Sequence, residues 1–398
     1  MKLKNDIHLI LHYGELALKG GNKEHFQTVL KSDLIRKLRL IGVKSDATLV
    51  LNRFVVNLPE DTDLEKVRGM MMIVPGIENF GFYYKCELDF DKICEFLKKS
   101  WPRDLVAERG FKTFCVRVKK SQEFLPFDRL EAEHDFGACL LKDDVGLKVK
   151  MKNPDITVNV EIFGNFAYVT YEKFRGIGGL PAGTGGVVLA LISKGFDSPV
   201  AAYKMMTRGA KVHFVHFSGQ PYTKREELEH VKELVKIVGK FQNQTKLVII
   251  PFGEIQKKIS LNLKVPEKLR IIIYRRLMFK IAERVARYIG AKALVTGESF
   301  AQVASQTLNN LVVIDAVTDM PIFRPFIGTD KADIIAESKV IGTHDISALP
   351  CTDTCTLFSP KSPEIAAKLH DVLTAEKDIP FKELCDEAFS GREIVKFE

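Results

Sequence analysis

The stretch of residues 187–208, VVLALISKGFDSPVAAYKMMTR, constrains the fold of this chain more than any other. Six consecutive apolar residues, 187–192, suit a strand that is buried on both faces of a parallel sheet. A short turn follows, and Ser198 and Pro199 then provide a helix N-cap and a first helical residue, so a helix is predicted over 199–208. Unpaired backbone N–H groups and the positive end of the helix dipole converge at such a turn. The stretch therefore predicts an anion site, and phosphate is its natural ligand.

The second half of the chain alternates strand and helix patterns. Alternation of this kind predicts an α/β fold, an open parallel sheet with helices on both faces, and a ligand beyond the carboxyl ends of the strands. His216, Gly297 and the turn at 193–198 all lie at such strand ends. The predicted strands are 187–192, 211–217, 247–252 and 293–296. The predicted helices are 199–208, 224–238, 269–288 and 331–340, with one or two helical turns at 300–307.

The first half of the chain mixes strands and helices without strict alternation, which predicts α+β domains. Its predicted strands are 8–11, 48–58, 79–86, 111–119, 147–152, 156–162 and 166–171, and its predicted helices are 24–40 and 89–101. The following segment, RGIGGLPAGTGG, is rich in Gly and Pro and predicts a hinge, with a domain boundary near residue 178. It is not a dinucleotide-binding fingerprint, because the third glycine position holds Pro181 and a strand follows.

Charge permits an acidic partner without identifying one. The formal net charge is +8, a mild excess that is compatible with RNA binding. Strand periodicity places Arg117 and Lys119 on one face of a strand, and Lys148, Lys150 and Lys152 on one face of another. Two interpretations stay open, because such faces either contact nucleic acid or are solvated edges that block aggregation.

Length and composition set further bounds. A chain of 398 residues suits two or three domains, and it holds no apolar segment of about 20 residues that would predict a membrane span. Its first residues lack the pattern of a signal peptide, so a cytoplasmic protein with no membrane partner is expected. The seven cysteines form no disulfide ladder, so they are expected to be mostly reduced, with chemistry confined to one or two.

The turn at 193–198 is not a P-loop, because GxxxxGK[ST] does not occur in the chain. It resembles instead the SGGxDS loop (PP-loop) of enzymes that split ATP into AMP and pyrophosphate. Ser193, Gly195, Phe196, Asp197 and Ser198 match that pattern, and Lys194 departs from it.

Several phrases in the same order resemble the tRNA 4-thiouridine synthetases, the ThiI-type tRNA sulfurtransferases, over nearly the full length. They are YGELALKGGN at 13–22, PDITVNVEI at 154–162, GGLPAGTGG at 178–186, SKGFDSPVA at 193–201, TGESFAQVASQTL at 296–308 and ALPCTDTCTLFSP at 348–360. The resemblance implies a ferredoxin-like domain at 1–63, a THUMP RNA-binding domain at 64–174, a Gly/Pro linker at 175–186 and an adenine-nucleotide α-hydrolase domain with the PP-loop at 187–398. It implies ATP-dependent replacement of O4 of uridine 8 in tRNA by sulfur through an adenylated intermediate, and sulfur transfer for the thiazole of thiamine.

The resemblance also implies roles for individual residues. Asp197, Lys331 and Cys355 are the expected catalytic residues: Lys331 lies near the reacting phosphate, Cys355 handles sulfur, and Asp197 either holds Mg²⁺ or orients O4. No residue is assigned as a resident metal ligand. The expected nucleotide contacts are Leu191, Ile192, Ser193, Gly195, Ser198, His216, Phe217, Arg275, Gly297 and Gln306. The expected cofactors are ATP and Mg²⁺. The expected partners are tRNA, an external persulfide donor (a cysteine desulfurase or a rhodanese-like protein) and a second copy of the chain in a homodimer.

Three departures from the family pattern stand out. Lys194 replaces the second glycine of SGGxDS, Ala301 replaces a glycine, and the chain ends at Glu398 without the rhodanese-like domain of longer members. ATP binding is expected to survive at Lys194, since its side chain can point outward at negative φ and an ammonium group favours phosphate. The alternatives are another PP-loop adenylating ligase and a tRNA-binding protein that has lost catalysis.

Overall fold

The structure is a computed structural model, and it describes residues 7–121, 128–143, 145–350 and 358–397. The chain divides into two compact units, Met1–Gly179 and Leu180–Glu398. Within the described ranges, no helix combines the length and the apolar composition needed to cross a bilayer.

The first unit is built on a sheet with the strand order β2-β3-β1-β4-β8-β7-β5-β6, in which β9 also pairs with β4. The strands are β1 (Ile7–His12), β2 (Ala47–Val50), β3 (Arg53–Leu58), β4 (Asn79–Glu87), β5 (Thr113–Lys120), β6 (Lys148–Val149), β7 (Ile156–Phe163), β8 (Phe166–Thr170) and β9 (Phe174–Arg175). The helices are α1 (Lys23–Leu40), α2 (Leu64–Met71), α3 (Phe90–Ser100), α4 (Arg103–Arg109) and α5 (Arg129–Lys142), with a 3₁₀ turn at Glu15–Leu18. Three apolar clusters lie among the described residues of this unit. Leu9, Leu34, Phe54 and Val67 belong to one, Ile93, Phe114, Phe136 and Val158 to a second, and Ile10, Tyr83, Phe163 and Tyr168 to a smaller third.

Two expectations for this unit were wrong. The predicted strand at 48–58 is a hairpin, because Leu51 and Asn52 adopt positive φ (43° and 66°) and form a two-residue turn between β2 and β3. The predicted strand at 147–152 is reduced to Lys148–Val149, the two residues that pair with β5. Cys94 and Cys139 join α3 to α5 in a disulfide, whereas Cys86, Cys115 and Cys385 are free, which agrees with cysteines that are mostly reduced.

The second unit is built on one sheet with the order β14-β13-β10-β11-β12-β15. The strands are β10 (Val187–Leu191), β11 (Lys211–Ser218), β12 (Thr245–Pro251), β13 (Leu294–Val295), β14 (Ile322–Phe323) and β15 (Glu393–Phe397). The helices are α6 (Asp197–Thr207), α7 (Arg225–Gly239), α8 (Gly253–Ser260), α9 (Arg270–Ile289), α10 (Leu308–Asp315), α11 (Lys331–Ile341), α12 (His344–Ser347), α13 (Leu369–Glu376) and α14 (Phe381–Ser390), with 3₁₀ turns at Glu267–Leu269 and Ala304–Gln306. Helix α6 packs with α7 and α11, whereas α9 packs with α10, α13 and α14.

The predicted α/β class is confirmed. Strands β10 to β14 are parallel, and apolar residues of α9 such as Ile273, Leu277 and Ile281 are buried against them. One edge differs from the expectation, because β15 pairs antiparallel with β12 and makes the sheet mixed. The parallel order brings the carboxyl ends of β10, β11 and β13 to one edge, where the candidate site lies.

Candidate functional site

The turn between β10 and α6 is organised by its own serines. Ser193 donates its backbone N–H to Ser198 Oγ at 2.9 Å, and Ser198 Oγ lies 3.2 Å from the Ser193 carbonyl oxygen, to which it donates. The Gly195 N–H donates to Ser193 Oγ at 3.3 Å. The prediction that Ser198 caps the helix was wrong, since α6 already begins at Asp197 and Ser198 closes the preceding turn instead. The loop is therefore held in shape before any ligand binds.

A cavity of about 230 Å³ opens at this turn. It is lined by eleven of the residues predicted for the site: Leu191, Ile192, Ser193, Gly195, Asp197, Ser198, His216, Phe217, Arg275, Gly297 and Gln306. His216 Nδ1 donates to the Ile192 carbonyl oxygen at 3.0 Å, which fixes the ring at the end of two adjacent strands. The cavity combines apolar walls with a few polar groups, as small-molecule sites usually do.

Gly297 lies against the backbone of the loop. A Cβ atom at this position would lie 2.6 Å from the carbonyl carbon of Asp197 and 2.7 Å from the Ser198 nitrogen. Only glycine allows the end of β13 to approach the N-terminus of α6 this closely.

Glu298 was not predicted as a residue of the site, although it directly follows Gly297 in the TGES phrase. It is 3% exposed and forms ion pairs with Arg275 and with Arg324, whose Nε lies 2.7 Å away, and it also accepts from the Thr296 hydroxyl at 2.8 Å. Burial alone would raise the pKa of Glu298, but the two guanidinium groups and the hydroxyl outweigh it, so this pKa lies below its ordinary value. Glu298 therefore stays ionised and holds Arg275 at the cavity wall.

Lys331 does not line the cavity, but it reaches the loop from the start of α11. Its Nζ lies 2.5 Å from Asp197 Oδ1 and 5.6 Å from the centre of the Phe196 ring. The pair joins the two described residues that were predicted to be catalytic. The Lys331 side chain is 40% exposed, so it can respond to a ligand.

Two departures from the family pattern have structural consequences. Ala301 adopts a positive φ of 59°, a conformation that favours glycine, and its N–H donates to the Gln306 carbonyl oxygen at 3.0 Å. Lys194 lines the cavity without a positive φ, a backbone that would allow its side chain to point outward, yet the residue is buried and only 5% exposed.

The predicted sulfur-handling residue, Cys355, lies outside the described residues, as does Cys351. The free cysteines that the structure describes are Cys86, Cys115 and Cys385. Over residues 7–121, 128–143, 145–350 and 358–397, no group of three or more His, Cys, Asp or Glu could hold a metal ion.

The first unit carries a separate basic cavity. Its walls include Arg117, Lys119, Lys120, Arg129 and Lys173. The buried carboxylate of Glu161 also lines it, and this group accepts from His12 (3.0 Å), Arg53 (3.1 Å), Tyr83 (2.8 Å) and Lys173 (2.9 Å). Burial lowers the pKa of His12 below its ordinary value despite Glu161, so the imidazole is neutral near pH 7. Glu161 thus compensates two cations, Arg53 and Lys173, and the remaining basic side chains make the cavity suited to an anion.

Three family models match the chain. The model described as Thiamine biosynthesis protein (ThiI) matches residues 183–381, the THUMP domain model matches residues 87–172, and the ThiI ferredoxin-like domain model matches residues 8–81. A relative from Macrococcus caseolyticus, described as a "Probable tRNA sulfurtransferase", is 39% identical over 98% of this chain and 95% of its own length. A relative from Thermus thermophilus with the same description is 36% identical over 98% of this chain and 93% of its own length.

Two solved structures are similar in fold. The crystal structure of a 4-thiouridine synthetase in complex with RNA and with bound ATP matches with a TM-score of 0.89 and 31% identity, covering 99% of this chain and 100% of that one. The crystal structure of PH1313 from Pyrococcus horikoshii matches with a TM-score of 0.65 over 84% of this chain and 99% of that one. At 21% identity, the second match supports the fold alone.

Proposed function

The chain belongs to the ThiI family of tRNA sulfurtransferases, and on that premise we propose that its second unit uses ATP to activate uridine 8 of tRNA, whose O4 is then replaced by sulfur. The observation that carries the proposal is the cavity at the 193–198 loop, with the Asp197–Lys331 pair beside it. The resemblance of this loop to those that split ATP into AMP and pyrophosphate gives the reaction type.

In the activation step, O4 of the uridine attacks the α-phosphorus of ATP and pyrophosphate departs. A carbonyl oxygen is a poor leaving group, and the adenylate turns it into a good one. Backbone N–H groups at the start of α6 and the Lys331 ammonium would stabilise the charge on the pyrophosphate. Asp197 pairs with Lys331 and so holds its ammonium group at the loop. A bound phosphate would replace Asp197 as the partner of this ammonium group. Arg275, held by Glu298, would border the nucleotide.

The residues at the loop also fit Mg²⁺. This ion typically binds one or two carboxylates together with substrate phosphates, and Asp197 offers a carboxylate at the cavity wall. Asp197 would hold Mg²⁺, which would neutralise charge on the departing pyrophosphate. Alternatively, Asp197 orients O4 of the uridine.

In the sulfur step, we propose that an external donor, a cysteine desulfurase or a rhodanese-like protein, passes a persulfide to Cys355. The terminal sulfur attacks C4 of the adenylated uridine and AMP departs, which leaves a disulfide between Cys355 and the nucleotide. A second thiol then attacks the Cys355 sulfur, releasing 4-thiouridine and forming a protein disulfide. Cys351 is the better candidate for this thiol, because Cys385 is 7% exposed on α14 and burial raises its pKa to about 11.

The first unit would bind the tRNA. A cavity rich in arginine and lysine supports this proposal, since phosphate contacts supply most of the affinity in RNA binding. The proposed domains are the ferredoxin-like domain at 1–63, the THUMP domain at 64–174, the linker at 175–186 and the PP-loop domain at 187–398. With tRNA as substrate, the proposed activity is cytoplasmic.

A homodimer is also proposed. Leu308, Val312 and Ile365 are 61–62% exposed, and the Thr307 hydroxyl donates to the Ile365 carbonyl oxygen at 2.7 Å, so the two segments that carry these apolar side chains are adjacent. Light scattering of the purified chain would show a dimer, and a monomer at micromolar concentration would contradict the proposal.

Sulfur transfer for the thiazole of thiamine is a second proposed function, supported by the description of the matching family model. It would use the same Cys355 persulfide, so Cys355→Ser is expected to abolish both products.

The proposed sulfur route is tested with Cys355→Ser. This variant should form AMP at an unchanged rate with tRNA, while mass spectrometry of the tRNA nucleosides finds no 4-thiouridine. Cys86→Ser is the matched control and should retain both activities, since Cys86 lies on β4 of the first unit. Full 4-thiouridine formation by Cys355→Ser with a persulfide-donating protein would overturn the assignment.

A further inference from the structure

Lys194 makes contacts that the glycine of the usual loop pattern cannot make. Its Nζ donates to the carbonyl oxygens of Leu349 at 2.5 Å and of Pro350 at 2.8 Å. These are the last two described residues before Cys351. A lysine in the phosphate loop therefore binds the backbone that leads into the CTDTC segment.

The neighbouring loop residues contact the same part of the chain. The Gly195 carbonyl oxygen accepts from Ser347 Oγ at 3.4 Å, and the rings of Phe196 and His344 lie 5.6 Å apart. Three consecutive loop residues thus attach to α12 and the residues that follow it. Lys194 supplies the only charged donor of this set.

The charge of Lys194 links this attachment to the nucleotide cavity. The ammonium group is buried, and its two hydrogen-bond partners are neutral carbonyl groups. A buried charge is costly unless it is compensated. Because Lys194 also lines the cavity, a phosphate bound there would complete the compensation. The same side chain can therefore contact both the bound nucleotide and the backbone before the cysteines.

We propose that Lys194 is a positioning residue, which fixes the backbone at Leu349 and Pro350 against the phosphate loop and so sets where the cysteine segment starts. The inference rests on the proposed function, in which Cys355 handles the sulfur. It predicts that loss of the lysine impairs sulfur transfer more than adenylation. If Lys194 were only a defect of the phosphate loop, its replacement would instead change the rate of adenylation.

The first test is independent of activity. Amide hydrogen exchange of the full chain, followed by mass spectrometry, measures how often the peptide covering 344–350 opens. Lys194→Met keeps the length of the side chain and removes the donors, so exchange there should accelerate about tenfold, as expected for the loss of hydrogen bonds from a charged group. The matched control is Lys236→Met, on the exposed side of α7, which should leave this peptide unchanged. Equal exchange in Lys194→Met and the unsubstituted chain would overturn the proposal.

The second test separates the two chemical steps. At saturating ATP, 4-thiouridine formed per AMP should fall about tenfold in Lys194→Met, and Lys194→Arg, which retains donors, should recover part of that yield. The KM for ATP should rise as well, because Lys194→Met also loses the contact with phosphate. An equal fall of AMP and 4-thiouridine formation would overturn the proposal, because the lysine would then act on the nucleotide alone. Failure of the proposed function would show as absence of tRNA-dependent AMP formation in the unsubstituted chain, and hydrogen exchange would still decide the role of Lys194.

Discussion

Substitution of Gly297 by alanine should damage the site more than any change of a loop glycine. Its Cβ would lie 2.6 Å from the carbonyl carbon of Asp197, whereas ordinary contacts begin near 3.4 Å, so the end of β13 and the loop must separate by about 0.8 Å. Such overpacking costs about 1–3 kcal/mol of unfolding free energy. A displacement of about 1 Å at reacting groups can reduce the rate about 100-fold. The effect is steric, because Gly297 does not adopt positive φ.

The assay for this prediction is tRNA-dependent pyrophosphate release, combined with urea unfolding. Gly328→Ala is the matched control, since its Cβ would have no neighbour within 4 Å, and it should retain activity and stability. Gly195→Ala should also retain stability, because its nearest neighbour, Ser193 Oγ, would be at 3.5 Å. If Gly297→Ala and Gly328→Ala release pyrophosphate at the same rate, the reasoning about close approach is refuted.

Other parts of the structure give three further predictions. Glu298→Gln removes the buried carboxylate between two arginines and should lower the unfolding free energy by about 3–5 kcal/mol in urea titrations; a loss below about 1 kcal/mol would contradict the role of the ion pairs. Burial lowers the pKa of His213 from 6.5 to about 4. The contribution of the neutral imidazole to the unfolding free energy is therefore present above pH 6.5 and is lost as the pH falls to 4. Between pH 7 and 4, the unfolding free energy of His213→Gln should therefore fall by about 3 kcal/mol less than that of the unsubstituted chain. Equal falls in the two proteins would contradict the lowered pKa of His213. The double variant Lys120→Ser, Arg129→Ser should bind tRNA more weakly, with a salt slope smaller by about 1 to 2, and an unchanged slope would exclude these residues as phosphate contacts.

Local patterns were sufficient for most of the fold. Runs of apolar residues predicted β10, β11 and β12 within about two residues, since a parallel strand is buried on both faces whatever its partners are. The hairpin at Leu51 and Asn52 was missed, because two positive φ values interrupt a stretch that otherwise reads as one strand. Strand β15 was not predicted, because it forms only by pairing with the edge of β12. That edge is available only in the folded chain, so the local sequence of β15 does not indicate it.

The candidate site divides in the same way. The loop residues are close in sequence, so one family motif predicted all of them. Lys194 shows the limit, because its partner Leu349 is 155 residues away and only the folded chain brings the two together. Ser198 shows a second limit, since a serine before proline suits an N-cap, yet its hydroxyl closes the turn at Ser193.

Adenylation of tRNA at the 193–198 loop underlies the 4-thiouridine formation proposed for this chain. The most direct measurement is pyrophosphate release from ATP by the full chain, with unmodified tRNA, with a panel of small carboxylic acids, and with neither. Pyrophosphate release should depend on tRNA and should be lost in Lys331→Met. Release that depends on a small acid would identify another PP-loop ligase, and no release under any condition would indicate a tRNA-binding protein without catalysis. Either result would contradict tRNA adenylation by this chain.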